Sequence, residues 1–464
     1  MNHKKTLIHG GSIVSESGVT KADLLIEGER IKAQGIPTSF KNESVDEVLD
    51  ANEKLLLPGL IDPHVHFNSP FMGSKTIHDY YNGTIAAVYG GITTIIDFST
   101  QPKGGSLIEN LSQKEEEAKG KAFIDWSLHG ILLDANPETL SEIPNLIDLG
   151  IPTYKCFTTY RHADRMMDDE GILKVLEVTV ENGGMLMVHC ENDTILEYHL
   201  NKALSSRHFA PIYHARSRPP SAENEAIRRV IALMNEVPAP VYIVHTTTAD
   251  SVKIIQDARD KGLPIHSETC THYLILTEEY LNRENGHFYI CSPPFRTQKD
   301  IDVLWQAVAD SRIEVISSDD AGMPSQERVQ NGEIRFDKVT NGMPGIEPRL
   351  IISYTEGVCK NKIDLPRLVS VTSTTPARLF GLYPQKGHLG PGADADVVIF
   401  DPKKEWTMNA KNLHMNDSFC PFEDWKVQGF VETVFSRGKP VIKEGRLVGT
   451  PGYGRRVFRK LSSL

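Results

Sequence analysis

Two histidines one residue apart, His64 and His66, stand in the run Pro58-Gly59-Leu60-Ile61-Asp62-Pro63-His64-Val65-His66. Side chains alternate along a strand, so at a strand end both imidazoles face the same side. Two neutral imidazoles on one face can ligate zinc or a similar divalent ion. Alone, the pair reads equally well as two polar residues on a half-exposed strand. Further histidines stand where strands should end: His189 in Val188-His189-Cys190-Glu191, and His245 in Val244-His245-Thr246. One such histidine is ordinarily an edge residue with satisfied hydrogen bonds, but four together point to a metal site. Asp319, after Val315-Ile316-Ser317-Ser318, adds a carboxylate, with Asp320 beside it. An acidic pair after an apolar strand is costly unless solvated, paired or metal-bound. A carboxylate that holds a cation can also shuttle a proton, as amide hydrolysis requires. A helix N-cap is the plainer role for either aspartate. Lys155, in Thr153-Tyr154-Lys155-Cys156-Phe157, is the odd residue. An ammonium binds no metal, and composition leaves it a snorkelling or ion-paired lysine.

The elements that must position these groups alternate. From about residue 57 to 381, short apolar runs (92–98, 124–133, 185–189, 241–245, 263–266 and 314–318) are separated by amphipathic stretches of helical length. The helix candidates include 106–119, 170–182, 222–235, 249–261 and 299–309. Such alternation predicts parallel βα units and an α/β fold. A closed (β/α)8 TIM barrel uses about 250 residues, more with insertions. The rival, a doubly wound open sheet, lacks its glycine-rich phosphate loop after the first strand. In a barrel the active site lies at the C-terminal ends of the strands, where the candidate residues fall.

Both ends of the chain read as β, in runs 6–15 and 22–33 and again at 395–400 and 431–448, the last with Arg437-Gly438 and Glu444-Gly445 as turns. The expectation is a small discontinuous β-sandwich from residues 1–57 and 391–449, a catalytic barrel over 58–390, and an extended, solvated tail over 450–464.

The 464 residues suit one large barrel with an accessory domain. A 40% apolar and 24% charged composition is too balanced for disorder. The net charge of −11 is spread out, with no long basic run, which argues against a nucleic-acid partner. No stretch approaches membrane-spanning length, and the start has no apolar signal-peptide core. Six cysteines without a CxxC pair make no disulfide framework, so a reduced, cytoplasmic setting is expected.

Taken together, His64, His66, Lys155, His189, His245 and Asp319 resemble the ligand set of the binuclear cyclic amidohydrolases. The resemblance implies two divalent metals, commonly zinc, bridged by a carboxylated Lys155. It places His64, His66 and Asp319 on the more buried metal, and His189 and His245 on the other. Further blocks resemble the dihydropyrimidinase and hydantoinase branch: Pro70-Phe71-Met72-Gly73, Gly83-Thr84, Gly90-Gly91-Ile92-Thr93-Thr94-Ile95-Ile96-Asp97-Phe98, Glu268-Thr269-Cys270, Ser292-Pro293-Pro294-Phe295-Arg296 and Asn341-Gly342-Met343-Pro344-Gly345-Ile346-Glu347. Residues 387–401 resemble the return to the small β-domain. Tyr160 matches a tyrosine that contacts the substrate carbonyl, and Ser292 and Asn341 match positions that hold the ring amide. There is one departure. The branch usually has histidine after the metal-binding aspartate, whereas Asp320 stands here, adding negative charge beside the metals.

The resemblance implies opening of a dihydropyrimidine or hydantoin ring to an N-carbamoyl amino acid by a hydroxide held between the metals. Tyr160 would assist at the carbonyl and Asp319 would carry the proton. It further implies a homo-oligomer, a tetramer as in many relatives. Allantoinase is the nearest rival, since His64-Val65-His66-Phe67-Asn68 is similar to that family too. Dihydroorotase fits less well, because its family has an arginine just after HxH. A scaffold protein of the same fold is the reading from another class, and every candidate ligand position being filled argues against it.

Overall fold

Six of the barrel's eight strands fall in the apolar runs named above, and the other two carry His64 and Lys155. They are β1 (Leu60–Val65), β2 (Ile92–Thr100), β3 (Asp125–Ile131), β4 (Thr153–Phe157), β5 (Met185–His189), β6 (Val241–Ile243), β7 (Ile265–Cys270) and β8 (Val315–Ser317). Nearly every residue in them is buried, as parallel strands covered on both faces require. The computed structural model describes residues 4–71, 73–325, 328 and 334–461. Met72 and the outermost residues of both predicted ends lie outside the described residues.

Each strand pairs in parallel with its neighbour in chain order, from β1 through to β8. The ring is drawn shut by a parallel bridge between Val65 and Asp320, where His66 N donates to Asp320 O at 2.9 Å. Helices return the chain between strands, and their starts follow from local chemistry. Ser106, Asp168 and Thr248 cap Leu107–Ala118, Asp169–Asn182 and Ala249–Arg259 by accepting a backbone N–H, while Thr297 and Asp300 form a capping box on Gln298–Ala309.

The two β-rich ends join in one nine-stranded sheet. Leu55–Pro58 pairs antiparallel with Val397–Met408, which links the N-terminal strands to Trp425–Ser436 and Lys439–Lys443. Arg437-Gly438 and Glu444-Gly445 all take positive φ, the conformation that suits tight hairpin turns. Ile8, Leu24, Leu56, Val397 and Phe435 fill the core of this sheet.

The described tail, residues 450–461, is extended and anchored at Val457 and Arg459, while Arg455, Phe458 and Lys460 stay exposed. Arg459 is fully buried, donating to Ser127 Oγ at 2.8 Å and Thr153 Oγ1 at 2.9 Å, and Val457 N donates to Trp126 O at 2.7 Å. Gly454 allows this docking, because a Cβ there would sit 1.9 Å from Ile124 O. A guanidinium meeting carbonyl and hydroxyl oxygens at the base of the barrel explains why a basic tail packs instead of floating. All six cysteines are free, and Cys420 is buried despite its loop setting.

Candidate metal centre and active site

The alternation of β1 turns both His64 and His66 inward. Their Nε2 atoms lie 3.2 and 3.3 Å from the same oxygen of Asp319, and ligand atoms of these three residues all fall within 4.8 Å of one another. Lys155 Nζ lies 3.0 Å from His64 Nε2. His189, the last residue of β5, and His245, just past β6, complete the cluster, with ring centroids 4.5 Å apart and His245 5.7 Å from His64. The six sequence-predicted ligand positions therefore meet in one place at the C-terminal end of the barrel.

The protonation states suit metal binding. Burial lowers the pKa of His66 to about 4 and holds His189 and His245 below their ordinary value, leaving neutral imidazoles. Burial works against ionisation of Asp319, but the facing His64 and His66 outweigh it and keep the carboxyl well below the usual range. Burial lowers the Lys155 ammonium to about 8, despite the nearby Asp319. Three neutral or ionised donors converging on one point, beside a desolvated lysine packed on Phe98 and Phe157, fit a divalent metal ion.

Three of these residues sit in left-handed backbone: Tyr160 at φ 66°, His245 at φ 40° and Asp319 at φ 46°. Such conformations are costly for residues with a Cβ and cluster where surrounding contacts enforce them at functional sites. Tyr160 is 6% exposed, its ring 5.4 Å from that of His189. Burial raises its pKa, against the opposing charge of Arg218, so its hydroxyl remains a donor. Asn341 Nδ2 donates to Ser292 Oγ at 2.9 Å. Tyr160, Ser292 and Asn341 all line an inner chamber of about 100 Å³ together with His66, Lys155, His189, His245 and Asp319. An outer vestibule of about 390 Å³ shares Phe71, Tyr160, Arg165 and Asn341 with it, so the loops after His66 and around residues 162–169 form the mouth.

Several functional neighbours escape a reading of the sequence. Glu268, seen there only as part of a block, accepts from His64 Nδ1 and from Tyr242 Oη at 3.0 Å, which fixes the His64 tautomer and directs Nε2 inward. Glu191 meets His189 Nε2 at 2.8 Å and Arg218 at 2.5 Å. His272 lines the chamber, and its buried Nε2 has no hydrogen-bond partner. Only the position of His272 after β7 hinted at it.

Asp320 departs from both expectations. It caps no helix, since the described residues after it form bridges and loops. Its charge is also not loose beside the metal ligands, because its carboxylate meets His78 Nδ1 at 2.6 Å, and both side chains are buried. Burial disfavours charge on His78, but Asp320 outweighs it and raises the pKa.

A parallel eight-stranded barrel with an HxH–Lys–His–His–Asp cluster at its mouth matches the amidohydrolase class of hydrolases. The sequence profile of the amidohydrolase family matches residues 55–441. The chain belongs to this family and, within it, to the hydantoinase and dihydropyrimidinase branch. It is 40% identical to a D-hydantoinase of Geobacillus stearothermophilus over 98% of this chain and 96% of the relative. Among solved structures, a dihydropyrimidinase from Brevibacillus agri superposes with a TM-score of 0.96 at 40% identity, covering 99% of both chains. An L-hydantoinase from Arthrobacter aurescens reaches a TM-score of 0.90 at 27% identity, covering 99% of this chain and 100% of its own.

Proposed function

We propose that this protein hydrolyses the ring amide of a hydantoin or dihydropyrimidine to an N-carbamoyl amino acid. The observation that carries this is Lys155 buried 3.0 Å from His64 Nε2, inside a cluster of neutral imidazoles and the ionised Asp319. His64, His66 and Asp319 would hold one divalent metal and His189 and His245 the other, with carboxylated Lys155 shared between them. Zinc suits these nitrogen and oxygen donors. Bound there, the metals supply Lewis acidity at the carbonyl oxygen and a water acidic enough to attack near neutral pH.

The chain's own residues do the rest. Ser292 and Asn341 hold the ring amide against the chamber wall. The Tyr160 hydroxyl donates to the carbonyl oxygen as negative charge builds on it. Asp319 accepts a proton from the attacking water and delivers it to the departing ring nitrogen. Water thus adds across the C–N bond, leaving a carboxylate and a ureido group. Relatives named for both D- and L-hydantoin activity share the fold, so the hand of the substrate rests with the vestibule loops. The free cysteines support a reduced cytoplasmic setting, and no described helix is long and apolar enough to cross a membrane. The tetramer implied by resemblance is tested by light scattering.

The deciding experiment offers hydantoin, dihydrouracil and allantoin to protein purified with zinc, with metal measured on the same sample. Opening of hydantoin or dihydrouracil with about two metals per chain is the expected result. Turnover of allantoin alone would move the assignment to that rival. Inert, metal-free protein would favour the scaffold reading.

A further inference from the structure

The Asp320–His78 pair belongs to a closed circuit of contacts that starts next to Asp319. His78 Nδ1 reaches Asp320 Oδ2 at 2.6 Å and its Nε2 reaches Met415 O at 2.7 Å. A carboxylate and a carbonyl can only accept, so both ring nitrogens donate and His78 is an imidazolium. The other oxygen of Asp320 accepts from Gly345 N at 2.8 Å and Ile346 N at 3.2 Å. Next along the chain, Glu347 accepts from the backbone N–H of His414 and from its Nδ1 at 2.9 Å, which brings the circuit back to Met415. Three segments that reach the chamber or flank it are thereby tied to one carboxylate: the loop after His66, the turn at Asp319, and residues 341–347.

Asp320 is also the residue whose backbone shuts the barrel, bridging Val65 on one side and Met343 on the other. Asp319, immediately before it, holds a left-handed φ of 46°. A strained backbone persists only where surrounding contacts over-determine it. Around Asp319 those contacts run through Asp320 on one side and through Ser318, which meets Asp62 and His64 O, on the other. In the branch this chain resembles, histidine usually follows the metal-binding aspartate. Here a carboxylate stands at 320, and the imidazole that meets it comes from position 78.

We propose that Asp320 and His78 are a positioning pair that sets the Asp319 carboxylate for proton transfer and metal retention, and that the pair keeps this role with its ends exchanged. The proposal rests on the functional reading of Asp319 above. It differs from a purely structural role in what it predicts: transition-state chemistry suffers more than ring binding, and exchange of the two residues restores it.

The test compares Asp320→Asn, Asp320→His, His78→Gln and the double exchange Asp320→His with His78→Asp. Each is assayed for kcat and KM on hydantoin, for melting temperature, and for the rate at which zinc is lost to a chelator. The expected result is a kcat at least tenfold lower in the single variants with KM within about threefold, zinc loss at least tenfold faster, and recovery of most of both in the double exchange. Asp320→Asn keeps the shape and acceptor oxygen of the side chain, so it reports even if His78→Gln fails to fold. Unchanged kcat and zinc retention in the single variants would overturn the proposal, as would a double exchange no better than the worse single variant. If the unsubstituted enzyme opens none of the rings, the functional reading fails instead, and zinc retention alone then decides the role of the pair.

Discussion

Lys155 Nζ and His64 Nε2 lie 3.0 Å apart, both shut away from solvent. A cation against a ring nitrogen is a poor final state for either group, because burial penalises the ammonium and lowers its pKa to about 8. The neutral amine, whose share this lowering raises, is the form that adds carbon dioxide. Carboxylation would turn a buried positive charge into an anionic oxygen ligand, which changes the sign of the charge at the centre of the site.

The first prediction concerns this lysine. Lys155→Ala should abolish ring opening and lower metal content together, as read by metal analysis of the purified variant. Full metal occupancy without activity would contradict the bridging role. In the unsubstituted protein stripped of metal, reactivation by zinc at fixed dissolved carbon dioxide should accelerate about tenfold per pH unit between pH 6 and 8 and level off above. The sign follows from deprotonation: raising the pH towards about 8 fills the amine form.

Glu268 orients His64 from behind. Replacing it with Gln keeps the size of the side chain but removes the charge that holds His64 Nδ1–H. Metal affinity should fall by about 10- to 100-fold, measured by competition with a chromophoric chelator. Unchanged affinity would show that the barrel alone positions the imidazole.

Tyr160→Phe deletes only the hydroxyl. If that hydroxyl stabilises charge on the carbonyl oxygen, kcat should fall on the order of 10²–10³-fold with KM little changed. A rise in KM at constant kcat would instead make Tyr160 a ground-state binding residue.

At the far end of the barrel, Lys386 is buried among Asp125, Asp394 and Asp396 at 2.8, 3.0 and 2.7 Å, with Arg437 beside Asp125. This knot joins β3 to the nine-stranded sheet. Lys386→Met would leave buried carboxylates uncompensated and should destabilise the fold by roughly 3–5 kcal/mol. Denaturant unfolding measures this. A loss below about 1 kcal/mol would mean that Arg437 on Asp125 and Arg30 on Asp394 together neutralise the knot.

The sequence by itself determined the βα alternation, because parallel strands covered on both faces must be continuous apolar runs. It also pointed to five candidate ligand positions, because a strand's period of two places His64 and His66 on one face and His189, His245 and Asp319 stand at strand ends. Lys155 joined them only through resemblance to the cyclic amidohydrolases. Tertiary structure decided what stands behind them. Glu268 lies 204 residues from His64, and Asp320 lies 242 from His78. No local periodicity connects such pairs, so Asp320 read as added negative charge without a partner in view and Glu268 as part of a motif. The tail was misjudged for the same reason. Its arginines look solvated until the base of the barrel presents Thr153 and Ser127 to Arg459. Local pattern fixes which face a side chain takes on its own element, whereas the partner of a buried charge is set by closure of the barrel, which brings distant segments together.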